Sequence, residues 1–357
     1  MSSLPCFPIP FKHVEALLEK ENHSTAPAAA PVRDYDELIS SLPVKQTFIP
    51  IRKYLEFWFP EGHLPGIMAI RQHFRPRPDD LFLMSFPKSG TTWLKALAFA
   101  TMTRAHYPWD RHPLHSLNPH DVVPFMDDLF AAGQASKLEA LPSPRVLATH
   151  MPYSLLPDSI TSSGCRIIYI CRDPKDAIVS LWHFAEKASA EKGREGFPFD
   201  RFFEMACEGK FPYSPIWDHS LEYWKESLRR PEKVLFLKYE EMLEEPAANV
   251  KRLAEFLGCP FSEDEEKGGV VEEIITLCSF EKLKSMEANK KGSQEAAVYK
   301  VSNASFFRKG GTGDWRNYGS PEMAQKLDEI VLEKLEGSGL TIPGVGPGAE
   351  EATAGHS

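Results

Sequence analysis

Two kinds of segment follow one another along most of the chain: continuous apolar runs and segments with helical signals. Continuous apolar runs rich in β-branched and aromatic residues are typical of strands buried on both faces of a sheet. Such runs are DDLFLMSF (79–86), RVLATH (145–150), RIIYICR (166–172) and KVLFLKYE (233–240). Segments with helical signals lie between and after them, at 91 to about 102, 173–188, 246–258, 262–280 and 320–339.

Residues that favour helix ends support these assignments. Asp173 can cap a helix that Pro174 opens, and Pro246 opens another that ends at Gly258. Strands alternating with helices predict a single α/β domain with a central parallel β-sheet flanked by helices. Such sheets bind ligands in the crevice beyond the carboxyl ends of their strands.

The two ends of the chain have a different composition from the middle. HSTAPAAAPV (23–32) is rich in small residues and proline, and the segment from 343 to the end has few large apolar residues. We therefore expect a flexible N-terminal lead-in at 1–44, a folded domain at 45–340 and a disordered C-terminal tail at 341–357.

The charge balance excludes some classes of partner. The chain has 357 residues, 25% of them charged, and a formal net charge of −9. General nucleic-acid binding depends on many phosphate-neutralising Lys and Arg residues, so this balance argues against it. Any polyanionic ligand must instead be held by a local cluster of positive groups.

Cysteine spacing and hydropathy indicate in which cellular compartment the protein is expected. The six cysteines are scattered without a C-x-x-C pair, which predicts reduced thiols rather than disulfides or a metal site. No apolar run reaches the roughly 18 residues that a membrane span needs. The first residues lack the basic and apolar regions of a secretory signal. We expect a cytoplasmic protein that binds no membrane.

The stretch FPKSGTTWLKAL (86–97) carries the first candidate chemistry. It leaves a predicted strand and enters a predicted helix, whose N-terminal N–H groups and partial positive charge favour an anion. Gly90 lets the backbone approach the ligand, hydroxyl groups follow it, and Lys88 adds a full charge. The lysine precedes the glycine, unlike in the triphosphate-binding loop G-x-x-x-x-G-K-[ST].

Two further segments combine basic residues with hydroxyl groups or glycines. Arg172 ends a predicted strand and Ser180 lies on the helix that follows, while FFRKGGTGDWRN (306–317) supplies Arg308 and Lys309 beside two glycines. Each could be an ordinary surface turn. Together they suit a ligand with phosphates at two ends.

Six motifs in order make the chain similar to the cytosolic sulfotransferase family, and most of all to its plant branch. That family moves a sulfuryl group from 3′-phosphoadenosine 5′-phosphosulfate (PAPS) to a hydroxyl of a small molecule, without a metal ion. The resemblance covers about residues 45 to 330. Its motifs are FPKSGTTW, ATHMPYSLLP, YICRDPKDAIVS, VLFLKYE, CSFEKL and RKGGTGDW.

The resemblance implies a role for each matching residue. The 5′-phosphosulfate loop would be Lys88, Ser89, Gly90, Thr91, Thr92 and Trp93, with Trp93 also beside the adenine. The 3′-phosphate would be held by Arg172, Ser180, Arg308, Lys309 and Gly310. The adenine would contact Tyr239 and Phe280, next to Cys278 and Ser279.

His150, at the end of a predicted strand, matches the catalytic histidine of the family. A phenol ionises near pH ~10, so at neutral pH it needs a base, and an imidazole is the natural one. His150 is thus the expected general base for in-line transfer, and Lys88 would neutralise charge on the leaving phosphate. By the same resemblance, Ser180 would hold Lys88 away until the acceptor binds.

Aromatic residues suggest a pocket for a hydrophobic hydroxylated acceptor such as a flavonoid, a hydroxysteroid or a hydroxyjasmonate. The candidates are Trp58, Phe59, Tyr153, Trp182, His183 and Phe184, all of which could equally be core residues. The charged, glycine-containing segment 186–198 could be a mobile lid or a solvated loop.

Other functions and assemblies stay open at this point. A catalytically inactive nucleotide-binding protein is one alternative, and a magnesium-dependent small-molecule kinase is a weaker one. The animal dimer motif of the family aligns poorly, at Arg316, Ser320, Pro321 and Gln325. A monomer is therefore expected, with a dimer still possible.

Overall fold

The secondary structure follows the alternation seen in the sequence. The computed structural model describes residues 7–21, 35–296 and 298–346. Within them the strands are β1 (Val44–Gln46), β2 (Pro50–Tyr54), β3 (Phe57–Pro60), β4 (Leu81–Ser85), β5 (Val146–Thr149), β6 (Arg166–Cys171), β7 (Val234–Lys238), β8 (Ser293–Glu295) and β9 (Lys300–Ser302).

Helices connect and cover these strands. In the same described residues they are α1 (Phe11–Glu21), α2 (Asp36–Ser41), α3 (Leu64–His73), α4 (Thr91–Thr103), α5 (Pro119–Val122), α6 (Met126–Ala131), α7 (Asp158–Thr161), α8 (Pro174–Glu191), α9 (Phe199–Cys207), α10 (Ile216–Arg229), α11 (Tyr239–Glu244), α12 (Pro246–Leu257), α13 (Glu263–Lys267), α14 (Val270–Leu277), α15 (Phe280–Ser285), α16 (Glu287–Lys290) and α17 (Pro321–Leu335). Short 3₁₀ helices lie at Glu61–His63, Trp109–Arg111, Pro113–His115, Ala135–Ala140, Tyr153–Leu155, Asn303–Phe306 and Asp314–Asn317.

The four predicted strands form one parallel sheet in the order β5-β4-β6-β7. Each observed strand is a little shorter than the apolar run that predicted it. In register, Met84 of β4 lies opposite Thr149 on one side and Tyr169 on the other. All four strands run in the same direction, so their carboxyl ends meet at one edge of the sheet.

Two apolar layers lie on opposite faces of this sheet. Successive strand residues point to alternate faces, and Phe82 and Met84 belong to one buried cluster while Leu81 and Leu83 belong to the other. Helices cover both clusters, which is why all five β4 residues are buried. The predicted α/β fold with a parallel sheet between helical layers is confirmed.

Smaller elements were not predicted. Strands β1 to β3 form an antiparallel sheet, and β8 pairs with β9. Strands β1, β8 and β9 are short and largely exposed, so they lack the continuous apolar run that marks β4 to β7. β3, FWFP, is apolar and mostly buried, but its aromatic residues were interpreted as candidates for an acceptor pocket. The helical segment 262–280 is interrupted at Gly268 and Gly269, since Gly269 adopts a left-handed φ of 77° before α14.

Parts of the expected flexible ends are folded. Phe11 and Val14 on one face of α1 are buried in the core cluster, because their spacing of three places both on the same side of the helix. Near the other end, Ile342 is buried and the Gly344 carbonyl accepts a hydrogen bond from Lys175 at 2.6 Å. The small-residue stretch 23–32 and residues 347–357 lie outside the described residues. The boundary at 45–340 stays a prediction.

None of the helices in the described ranges is both long and apolar enough to cross a bilayer.

Candidate active site

The carboxyl ends of the four parallel strands open into one cavity of about 370 Å³. The loop from Pro87 follows β4, His150 follows β5, Arg172 follows β6 and Tyr239 follows β7. All four line the cavity. Residues far apart in sequence thus share a site because their strands are parallel and adjacent.

The loop between β4 and α4 is held in an unusual backbone conformation. Lys88 has a φ of 67° and Gly90 a φ of 107°, both left-handed. A Cβ at Gly90 would lie 2.8 Å from the Tyr239 ring, so glycine is required by both conformation and space. Ser89 is buried behind the cavity lining, and its hydroxyl has no hydrogen-bond partner among the described residues.

Positive groups surround this loop. Arg172 donates to the carbonyls of Lys88, at 3.3 Å, and Gly311, at 2.8 Å, and Arg308 pairs with Asp314. Each of these arginines keeps a buried Nε without a hydrogen-bond partner in the described part of the chain. Burial, together with Arg172, Arg308 and Lys187, lowers the pKa of Lys88 to about 7. Positive groups that lie close together and keep unpaired N–H groups would bind an anion favourably, because its negative charge relieves their mutual repulsion.

An aromatic slot lies beside the loop. The rings of Trp93 and Tyr239 meet edge to face, with centroids 5.5 Å apart. The Tyr239 hydroxyl donates to the carbonyl of Gly310 at 2.9 Å. A Cβ at Gly310 would approach the Phe280 ring to 2.2 Å. The slot therefore suits a flat ring such as a purine. The remaining predicted nucleotide residues on the cavity wall are Thr91, Thr92, Ser180, Cys278, Ser279 and Lys309.

The hydrogen bonding of His150 leaves one ring nitrogen free for chemistry. Its Nδ1 lies 2.7 Å from the carbonyl oxygen of Ser85. A carbonyl only accepts, so Nδ1 carries the proton and Nε2 keeps its lone pair. Burial lowers the pKa of His150 well below its ordinary value, and the neighbouring His219, Lys95 and His63 act in the same direction. The imidazole is thus neutral and able to take a proton.

A second histidine, missed by the sequence analysis, contacts the phosphate loop. His120 Nε2 lies 3.0 Å from the Thr92 hydroxyl, and its Nδ1 lies 3.1 Å from Lys95 Nζ. Thr92 and Lys95 are three residues apart and share one face of α4. His120 lies 25 or more positions along the chain, so no local pattern pointed to it. Burial lowers the pKa of Lys95 to about 7. Other lining residues missed by the sequence analysis are Phe48, His63, Phe125, Tyr213, Tyr299 and Phe306.

The predicted acceptor residues divide into two groups. His183 and Phe184 line the cavity. Phe59 does not, because it is fully buried and packs edge to face on Tyr213, with centroids 5.5 Å apart. Trp58, on the opposite face of β3, lines a separate pocket. Tyr153 pairs with Arg230, and Trp182 donates to the Phe197 carbonyl at 2.7 Å; neither is part of the cavity lining.

The segment 186–198 is only partly a loop. Residues 186–191 continue α8, since the helix extends to Glu191, and the irregular part begins at Lys192. Lys187, Lys192 and Arg194 from this segment line the cavity. Its action as a lid stays a prediction.

Cysteines and acidic residues add no metal site in the part of the chain that the structure describes. Cys165, Cys171, Cys207, Cys259 and Cys278 are free thiols there, and Cys6 lies outside it. Across the described ranges, no group of three or more His, Cys, Asp and Glu side chains is arranged to hold a metal ion.

Comparisons with known proteins relate this chain to sulfotransferases. The family model for the sulfotransferase domain matches residues 78–339. Cytosolic sulfotransferase 17 of Arabidopsis thaliana is 40% identical over 338 residues, which is 91% of this chain and 96% of that protein. Flavonol 4′-sulfotransferase of Flaveria chlorifolia is 44% identical over 294 residues, 82% of this chain and 91% of that one. A mouse sulfotransferase solved in complex with PAP (3′-phosphoadenosine 5′-phosphate, which is PAPS without its sulfuryl group) superposes with a TM-score of 0.63 at 28% identity, covering 81% of this chain and 95% of that one.

Proposed function

The chain belongs to the sulfotransferase family, and on that basis we propose that it moves a sulfuryl group from PAPS to a hydroxyl of a small hydrophobic acceptor. One observation carries the proposal. The anion loop, the paired arginines, the aromatic slot and a neutral histidine line a single cavity at the carboxyl edge of the sheet.

The nucleotide would span the phosphate loop and the two arginines. The N terminus of α4 and Lys88 would hold the 5′-phosphosulfate, while Arg172, Ser180 and Arg308 would hold the 3′-phosphate. The adenine would lie in the slot formed by Trp93, Tyr239 and Phe280. The mouse relative was solved in complex with PAP, which supports a nucleotide of this kind as the ligand of this chain.

The chemistry would be an in-line displacement at sulfur. His150 Nε2 takes the proton of the acceptor hydroxyl as its oxygen bonds to sulfur. The bond from sulfur to the 5′-phosphate oxygen breaks, and its electron pair stays on that oxygen, next to Lys88. Position and charge stabilisation supply most of the catalysis in transfers of this kind.

Relatives indicate the class of acceptor and the compartment. One is named a flavonol 4′-sulfotransferase, and another a cytosolic sulfotransferase. Phe125 and Tyr213 beside His150, together with Phe184 on the cavity wall, suit a flat hydrophobic acceptor of the flavonoid or steroid type. A cytosolic, monomeric enzyme is the form we propose.

The test is a transfer assay. The protein is incubated with PAPS and a panel of phenols, flavonols and hydroxysteroids, with and without a chelator, and mass spectrometry follows the addition of one SO₃ group. We expect chelator-resistant sulfation of some members. Phosphate transfer from ATP that stops with chelator would support a kinase instead. Tight PAP binding without any turnover would support a catalytically inactive binding protein.

A further inference from the structure

A line of polar side chains borders the cavity next to His150. The Tyr213 hydroxyl lies 2.6 Å from His63 Nδ1, and His63 Nε2 lies 3.1 Å from Asp128 Oδ1. The Tyr299 hydroxyl donates to Asp128 Oδ2 at 3.3 Å. His63, Tyr213 and Tyr299 line the cavity, and the ring centroid of Tyr213 is 5.3 Å from that of His150.

The direction of each contact follows from its chemistry. His63 Nε2 and Asp128 Oδ1 lie 3.1 Å apart without hydrogen-bond alignment, and the negative carboxylate favours the tautomer of His63 that carries its proton on Nε2. In that tautomer Nδ1 accepts, and the Tyr213 hydroxyl donates to it. Burial, with Asp127 and Asp128 nearby, raises the pKa of Tyr213 well above its ordinary value, so the phenol keeps this proton. Both tyrosine hydroxyl protons are thereby used within the protein.

The two phenol oxygens can therefore only accept a hydrogen bond from a ligand. Tyr213 is also held in place at some conformational cost, since it has a φ of 66°, a left-handed value that a bulky side chain rarely adopts. Its N–H donates to the Trp58 carbonyl at 2.6 Å, and the Trp58 N–H donates to the Ser214 carbonyl at 3.0 Å. This pairing with β3 fixes the tyrosine beside the proposed base.

We propose that the Tyr213, His63, Asp128 and Tyr299 chain recognises a second hydroxyl of the acceptor, distinct from the one that is sulfated. The inference rests on the proposed function and narrows its substrate class to aromatic or polycyclic compounds with at least two free hydroxyls. Methylation of that second hydroxyl removes its proton and leaves the buried phenol oxygen without a hydrogen-bond donor. A polar site rejects an analogue for this reason, because a buried unpaired polar atom costs free energy.

The experiment compares a dihydroxylated flavonol with each of its monomethyl ethers. We expect the parent compound to exceed the better ether by at least about tenfold in kcat/KM. Tyr213→Phe should bring this ratio to within about threefold, mainly by slowing the parent. Calorimetry in the presence of PAP should show the same loss in the affinity for the parent. Tyr54→Phe removes a partly buried hydroxyl away from the cavity and should leave the ratio unchanged.

Either of two results would overturn the inference. One is a wild-type enzyme that sulfates parent and ether equally well, and the other is a Tyr213→Phe enzyme that keeps the full preference. If Tyr213→Phe does not fold, Tyr299→Phe takes its place, and an unchanged ratio there counts against the inference in the same way. A protein that sulfates no compound at all would instead refute the proposed function, and this inference with it.

Discussion

His150 owes its proposed role to a single backbone contact. The Ser85 carbonyl holds the Nδ1 proton, so the other nitrogen keeps its lone pair and can act as a base. The sequence located this residue at a strand end, but its tautomer follows from the neighbouring strand.

His150→Ala should therefore lower kcat by about 10²–10⁴-fold, because a general base contributes that much. PAP affinity should change little, since the base contacts the acceptor and not the nucleotide. Turnover assays and calorimetry measure the two effects, with the exposed His73→Ala as control. Near-normal turnover in the His150 variant would contradict the mechanism.

The depressed pKa of His150 sets the acid limit of activity. The imidazole becomes a poor base only when protonated, and a lowered pKa postpones protonation to lower pH. We expect kcat/KM to be maintained as pH falls through about 6.5, where an ordinary histidine protonates. A pH profile that loses half its activity at that pH or above would argue against the buried, neutral state.

Lys88 should take up a proton when PAP binds. Its pKa of about 7 in the free protein lies far below the ordinary 10.5, so at pH 8 most of this lysine is neutral. A bound phosphate favours the charged form and raises the pKa. At a pH between the pKa of Lys88 in the free protein and its pKa in the PAP complex, binding of PAP therefore takes up a proton from solution. Calorimetry at pH 8 in buffers of different ionisation enthalpy measures this uptake.

Lys88→Gln provides the comparison for this prediction. The variant should lose the part of the proton uptake that belongs to the lysine, while any uptake by the phosphates remains. The substitution should also reduce kcat by a larger factor than it reduces the affinity for PAP, because the lysine charge acts on the leaving oxygen. Equal proton uptake in both proteins would contradict the assignment.

The elements around the site depend on close backbone packing. The loop after β9 presses Gly310 against the Phe280 ring at the start of α15, and Asp176 on α8 accepts hydrogen bonds from the N–H groups of Gly313 and Trp315 at 2.7 and 3.0 Å. The motif RKGGTGDW indicated a basic turn. Its attachment to α8 depends on contacts across more than a hundred residues, and its contact with α15 also joins separate segments of the chain.

Two neighbouring glycines in this loop make a matched pair. Gly310→Ala places a Cβ 2.2 Å from the Phe280 ring at a φ of 75°, whereas a Cβ at Gly311 meets nothing within 4 Å. We expect Gly310→Ala to weaken PAP binding by at least about tenfold, or ~1.4 kcal/mol. Gly311→Ala should bind PAP normally. Calorimetry checks both, and equal affinities would show that the Phe280 slot does not hold the nucleotide.

In the molecule as a whole, a buried ion pair anchors the edge of the sheet opposite the site. Arg145, before β5, donates to both oxygens of Asp80, before β4, at 2.8 and 2.6 Å, and both side chains are fully buried. Asp80→Ala leaves the buried arginine with only the mostly exposed Glu139, at 3.0 Å, as a carboxylate partner, and should lower the free energy of unfolding by up to about 3–5 kcal/mol. Urea denaturation measures this loss.

The matched control for this prediction is Glu263→Ala. It breaks a pair with Lys267 in which both side chains are mostly exposed, so stability should change little. The folded Asp80→Ala protein should still bind PAP, since the pair is remote from the cavity. A stability loss no larger than that of the control would contradict the role assigned to the pair.

The sequence by itself determined the four parallel strands, the helices that follow β4, β6 and β7, and the edge where the anion loop, His150 and Arg172 meet, while Tyr239 was placed there by the family resemblance. The strands and helices follow from local periodicity and from residues at their ends, which short segments contain. The acceptor side was decided only by the tertiary structure. His63 and Tyr213 are 150 positions apart, and no local pattern relates them. The pKa values of Lys88 and His150 likewise depend on burial and on charges from distant segments, which only the folded chain brings together.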